Sequence, residues 1–310
     1  MFELYLKIRG SIISFDVYTV VIMIIYSLTA LILYPYIPMA SGLLFQNVLI
    51  LTTIVATILL QSLTGLRVFM MLRYFYIIPV IYLMYDQSHL LVPVVHPELY
   101  DDALIFVDRL IFGVDPTIWI SKFSFPALTE YFQICYFLFY LMPIIHAMEL
   151  WRRNEFKQLE LFARCMAFGF FFSHLLYFAM PAIGPRFTLH DYSSVNLDLP
   201  GFFLTNILRG IIDAGGGITW GSANPAIIVN RDCMPSGHTM MTVANIVLAF
   251  RYGSQLRWFF AIIGGSLVIA TVYLRYHYGI DVLVGAILAI VVLTLEPLVN
   301  KVIRRRMIQP

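Results

Sequence analysis

The feature that most constrains this chain is the recurrence of apolar stretches long enough to cross a bilayer. Crossing takes roughly 20 mostly apolar residues in a helix, and about eight stretches meet or approach that length. They run approximately 15–34, 43–62, 68–85, 128–148, 162–181, 238–251, 257–275 and 278–298. The sixth is short and fits a span that starts inside a cavity. Hydrophobic residues make up 60% of the chain and charged residues 12%, where soluble domains hold about 45–50% and about 25%. At a mean hydropathy of +0.83, such a chain would aggregate unless lipid covered most of its surface. The expected fold class is all-α: a polytopic transmembrane helix bundle forming a single integral membrane domain, 1–310.

Lysine and arginine set the expected orientation, because cytoplasmic loops hold an excess of them. With the N-terminus inside, the inner positions collect Lys7, Arg9, Arg67, Arg73, Arg152, Arg153, Lys157, Arg164, Arg251, Arg257, Lys301, Arg304, Arg305 and Arg306. That is 14 of the 20 basic residues. The outer loops keep Arg109, Lys122, Arg186, Arg209, Arg231 and Arg275. Both termini are therefore expected in the cytoplasm. Two outer loops, about 86–127 and about 181–237, exceed the ~12–15 residues beyond which loops are usually functional or disordered. Within the first, residues 101–113 place apolar side chains at helical spacing, which suits a helix lying flat at the interface.

A net charge of +2, without a dense basic patch before the C-terminus, argues against a nucleic-acid partner. Cys135, Cys165 and Cys233 form no CxxC pair, and are expected as free thiols. The first apolar segment lacks a short hydrophobic region followed by a small-residue cleavage site. It reads as a retained span.

Two short motifs carry chemistry. Cys233-Met-Pro-Ser-Gly-His-Thr239 opens the sixth segment. Proline is tolerated in a first helical turn, and Ser236 and Gly237 leave room for an anion to approach the free N–H groups at a positive dipole end. His238 follows within reach of such an anion; the bland alternative is a helix cap with an incidental histidine. Tyr276-His277-Tyr-Gly-Ile-Asp281 opens the last segment. An i,i+4 spacing puts imidazole and carboxylate on one helical face. Asp281 is then expected to accept from His277 Nδ1–H, leaving Nε2 free as nucleophile or base. An aspartate within a span costs roughly 2.5–3.5 kcal/mol near the bilayer centre, which makes it a functional candidate; the alternative is an ion pair with Arg275. Both motifs begin spans descending from the same face, so His238, His277 and Asp281 are expected at one membrane depth on the outer side.

Pro-Ser-Gly-His followed by His-x-x-x-Asp resembles the type-2 phosphatidic acid phosphatase superfamily of lipid phosphatases and phosphotransferases. Tyr273-Leu-Arg-Tyr-His-Tyr-Gly-Ile-Asp-Val-Leu-Val-Gly285 is most similar to its inositol phosphorylceramide synthase and sphingomyelin synthase branch. So is the outer-loop phrase Asp108-Arg-Leu-Ile-Phe-Gly-Val-Asp-Pro116, and Gly184-Pro-Arg-Phe187 resembles the first block of that branch. The resemblance covers roughly 100–290, with a catalytic core about 162–298. It implies that His277, oriented by Asp281, attacks phosphorus to form a phosphohistidine. His238 would protonate the departing alcohol and Arg186 would hold phosphate oxygens. A phospholipid donor and a lipid-alcohol or water acceptor follow from it. No cofactor or metal is expected: the histidines do not form HExxH, and too few carboxylates lie near them for a two-metal site.

The chain also departs from the family's pattern. Phosphatases of this superfamily often carry a lysine seven residues before the first-block arginine, where Ala179 stands. An arginine six residues before the nucleophilic histidine is replaced by Thr271. Arg231 and Arg275 are candidate substitutes in the phosphate clamp, although Arg275 lies about 200° round a helix from His277. It reaches the site only if the helix begins after it. His146 and His174 are expected to bond neighbouring helices, and His190 is a candidate head-group contact. A phosphatase using water, or a non-catalytic lipid-binding or transport protein, are the alternative readings.

Overall fold

The computed structural model describes residues 8, 10–219 and 221–308. Lys7, Arg9 and the Arg306 side chain, which contribute to the expected charge bias, lie outside the described residues. The described chain is all-helical, without a strand. Five helices are long and apolar enough to cross a membrane: Ser14–Ile32 (α1), Ala40–Thr64 (α2), the stretch Arg67–Val95, Phe156–Leu176 (α8) and Gly279–Arg305. The third comprises Arg67–Phe75 (α3) and Ile77–Val95 (α4). It runs past Pro93, so the first long loop starts about ten residues later than its expected position at 86.

The remaining stretches are shorter or broken. Pro126–Phe137 (α6) and Met142–Arg152 (α7) belong to an apolar pair bent by 52°. Pro143 sits in the first turn of α7, where its missing N–H is tolerated. This pair brings the span number to six if counted as one crossing. Gly237–Arg251 (α10) has 15 residues and Arg257–Tyr273 (α11) has 17, both below the length of a straight crossing. The last helix, Gly279–Ile308 (α12), follows.

Two apolar clusters hold these elements together. One joins α1, α2, α4 and α8; the other joins α7, α8, α10, α11 and α12, with Met240, Met241, Phe260 and Val292 at its centre. Ile32, Phe45, Leu63 and Val48 on α1 and α2 are exposed, as expected of lipid-facing side chains. Charges inside the bundle are paired, as burial requires. Arg73 bonds Asp16, which Tyr76 also reaches. Arg164 Nε lies 2.8 Å from Glu296 Oε1, and the Tyr18 hydroxyl donates to the same oxygen at 3.0 Å. Two arginines of the expected inner set are thus helix-to-helix ties within the protein.

The helix expected in the first long loop is present as Asp101–Phe112 (α5). Asp101, Leu104, Ile105 and Asp108 are buried, while Phe106 and Leu110 are 67% and 73% exposed. The inward face carries both acids. Thr205–Gly215 (α9) stands in the second long loop and packs against α6.

Candidate active site

The site forms where the first turns of α10 and α12 meet the two long loops. α10 and α12 approach closely because Gly285 has no side chain: a Cβ there would lie 2.6 Å from the Ser236 carbonyl oxygen. Ser236 caps α10 by accepting the Thr239 N–H at 3.2 Å. Its own N–H donates to the Asp281 carbonyl at 3.3 Å. Gly237 lies so close to the Tyr177 hydroxyl that a Cβ would come within 2.7 Å of it. His238 follows, its ring stacked on Tyr136 at 4.6 Å and tilted over Phe139 at 4.3 Å.

His277 does not stand on a helix. α11 ends at Tyr273, and Arg275 turns the chain with a φ of 66°. The His277 N–H returns to the Thr271 carbonyl at 3.0 Å, and α12 begins two residues later at Gly279. His277 Nδ1 lies 2.8 Å from the Cys233 carbonyl oxygen. A carbonyl only accepts, so Nδ1 carries the proton and Nε2 holds the lone pair. Nε2 faces His238 Nδ1 at 3.5 Å. The expected short bond to Asp281 gives way to this carbonyl, because a histidine before the helix does not share its face. Asp281 Oδ2 lies 3.5 Å from Nδ1. It accepts instead from the Tyr278 N–H and the Cys233 thiol, both at 2.9 Å. Asp281 therefore fixes the two chain segments that hold the imidazole, from the third position of α12 back to its cap.

Cys233, His277 and Asp281 place donor atoms within 4.8 Å of one another. Burial, then Asp281, pushes the Cys233 thiol well above its ordinary pKa. Its S–H donates to Asp281 Oδ2 at 2.9 Å.

The inward face of α5 secures both loops. Asp101 accepts the Gly184 N–H at 2.8 Å, the Ile183 N–H at 3.1 Å and the Tyr278 hydroxyl at 2.8 Å. Asp108 accepts the Gly279 N–H at 2.8 Å and the Ile280 N–H at 2.7 Å. One carboxylate holds the segment before Arg186, the other the start of α12.

Arg186 is buried in the short turn Pro185–Thr188. It pairs with Asp213, which also accepts the Tyr192 hydroxyl at 2.7 Å. Its guanidinium lies 4.9 Å from the Tyr276 ring and 4.8 Å from Phe187. Burial works against this charge, but Asp213 and the surrounding hydroxyls carry its pKa above the ordinary value. Arg186, His238 and His277 line one polar pocket of about 60 Å³. Arg231 and Arg275 are not among its lining residues. Arg231 donates to the Pro97 carbonyl at 2.7 Å, and Arg275 pairs with Asp198 at 2.8 Å. The helix does begin after Arg275, yet its side chain serves a loop.

Beside the polar pocket lies an apolar cavity of about 650 Å³, reaching from Gly237 and His238 past Phe139 and Phe170 to Phe75 and Phe162. His238 lines both spaces. The other histidines stand apart. His146 bonds Asn245 at 2.8 Å, His174 is buried in the cavity wall, and His190 lies 2.9 Å from the Thr117 hydroxyl. Asp101 and Asp232 belong to the site without a motif to mark them, whereas Asp108 opens the outer-loop phrase and Cys233 opens the first histidine motif. Asp101 and Asp108, seven residues apart on an amphipathic helix, left one trace: acids on one face of an otherwise apolar segment.

Two imidazoles, a buried arginine and an apolar cavity thus meet beside the first turns of α10 and α12. Residues 102–295 match the PAP2 superfamily. The chain belongs to this superfamily. It is also similar to a PA-phosphatase related-family protein of Dictyostelium discoideum, with 27% identity over 200 residues, covering 58% of this chain and 33% of the relative. The chain thus spans about a third of that relative's length. No solved structure matches.

Proposed function

We propose that the chain is a membrane lipid phosphotransferase that moves a phospho-head group from a phospholipid to a lipid alcohol through a phosphohistidine. One observation carries this reading: His238 borders both the polar pocket, with His277 and Arg186, and the apolar cavity. A volume of about 650 Å³ falls within the ~300–1,000 Å³ of small-molecule sites, and its lining suits hydrocarbon. A phosphate ester with an apolar tail fits such a pair of spaces; a free polar phosphate uses only one.

In this mechanism the His277 Nε2 lone pair attacks phosphorus and forms a P–N bond. The P–O bond to the leaving alcohol breaks, and His238 gives that oxygen its proton. The acceptor alcohol then attacks phosphorus and loses its proton to His238, while the P–N electron pair returns to His277. Arg186 meets the charge on the phosphoryl oxygens. An apolar, water-poor approach favours an alcohol over water as acceptor. The synthase-like branch, with about eight passes, both termini cytoplasmic and the site on the outer side, is part of the same proposal. Its support is the charge bias and the phrases around Asp108 and His277.

The test supplies purified protein with labelled phosphatidylinositol and ceramide. A new phosphosphingolipid with release of diacylglycerol is expected. Only inorganic phosphate, across a panel of lipid acceptors, would overturn the transferase reading.

A further inference from the structure

Tyr85, Tyr140, Gly215, Asp232 and His238 line both the polar pocket and the apolar cavity. Asp232 is the acid among them. Its Oδ2 accepts from the Tyr85 hydroxyl at 2.7 Å, and that hydroxyl accepts from Asn230 Nδ2 at 2.6 Å. The phenol is thereby fixed as a donor to the carboxylate. Among the described residues, no arginine, lysine or histidine forms an ion pair with Asp232. The carboxylate stands half-buried at the boundary.

An unneutralised carboxylate repels phosphoryl oxygens and attracts neutral O–H or N–H donors. Arg186 draws the phosphoryl group to its own part of the pocket. A donor bound to Asp232 has the apolar cavity beside it, so the molecule that carries it has a hydrocarbon chain. In the transfer above the polyol travels with the phosphoryl group that Arg186 holds, and the diacylglycerol that leaves carries no second O–H or N–H. The reacting hydroxyl has a single proton, and that proton goes to His238. Asp232 must therefore hold a different donor on the same molecule.

We propose that Asp232 selects the acceptor: a neutral long-chain lipid with a second O–H or N–H close to the hydroxyl that receives the phosphoryl group. This rests on the transfer reading above. During transfer the acceptor oxygen bonds to phosphorus, its proton passes to His238, and the P–N bond to His277 breaks with its electron pair returning to Nε2. Asp232 exchanges no proton; it binds the neighbouring donor and sets the position of the reacting oxygen.

The experiment measures kcat/KM for two acceptors in phosphatidylinositol vesicles: ceramide, which carries a second hydroxyl and an amide N–H, and a chain-matched long-chain primary alcohol. Wild-type protein is expected to favour ceramide by about tenfold or more, the range of a charged hydrogen bond. Asp232→Asn is expected to bring that ratio close to one. Tyr85→Phe, which frees the carboxylate from its orienting phenol, is expected to lower the ratio too and serves if Asp232→Asn does not fold. Failure of wild type to discriminate, or an unchanged ratio in the variants, overturns the assignment. If wild type forms product from neither alcohol while it hydrolyses the donor, the transfer reading itself fails, and this inference with it.

Discussion

Asp108 accepts the backbone N–H of Gly279 at 2.8 Å, and so a helix of the first long loop fixes the start of the helix that follows His277. Seven residues earlier, Asp101 does the same for Gly184, two residues before Arg186. The segments that carry His277 and Arg186 are thus both anchored to one helix. Its other face exposes Phe106 and Leu110, which suits a membrane interface.

Burial raises the Asp108 pKa, and the amides of Gly279 and Ile280 oppose the rise only in part. Its folded pKa therefore lies above its unfolded one. Its contribution to stability is full below the unfolded value and is lost as pH rises through the folded value. Asp108→Asn removes this titration. Above the ordinary carboxylate value of about 4, the variant's thermal midpoint in detergent is expected to change less with pH than that of wild type. Parallel profiles would show that Asp108 does not titrate in this range.

Arg186 offers a planar fork that lysine lacks. Arg186→Lys keeps the charge beside Asp213 but loses paired donation to phosphoryl oxygens. A fall in kcat/KM on the order of a hundredfold is expected, typical of losing a transition-state donor. Steady-state kinetics on phospholipid vesicles checks it; a change below about twofold would move the phosphate elsewhere.

Gly285 sets the approach of α10 to α12. An added Cβ meets the Ser236 carbonyl at 2.6 Å and Thr239 Cβ at 3.1 Å, and backbone does not yield as a side chain would. Gly285→Ala is expected to cost about 1–3 kcal/mol and to lower turnover, because His238 and Asp281 ride on the separated helices. Gly210→Ala on α9, whose methyl would meet nothing within 4 Å, is expected to be neutral or to stabilise by up to about 1 kcal/mol. Thermal midpoints of the two variants, measured side by side, test the contrast.

The membrane class and the pairing of His238 with His277 were legible because apolar length and motif spacing are local properties. The helical class follows from the same lengths, but the number of passes does not. The breaks at Leu141 and Tyr273 arise from Pro143 and from the need to turn the chain before His277. Asp281 was visible as a partner of His277; its acceptance from Tyr278 and Cys233 was not, since that depends on where α12 begins. Arg186 is marked in the sequence by its Gly184-Pro-Arg-Phe187 phrase, while Arg231 and Arg275 stand there only as candidate substitutes. Those two leave the clamp only when Pro97 and Asp198 are found beside them. The bonds of Asp101, Asp108 and the Cys233 carbonyl run mostly to or from backbone, so side-chain spacing does not reveal their partners.

The central claim is that His277 Nε2, left unprotonated by the Cys233 carbonyl, takes the phosphoryl group. The most direct measurement is a rapid quench of the enzyme with phosphate-labelled phospholipid, followed by peptide mapping of the label. The label is predicted on the peptide containing His277 and to be absent from His277→Ala. Label on another residue, or turnover that persists in His277→Ala, would contradict the account.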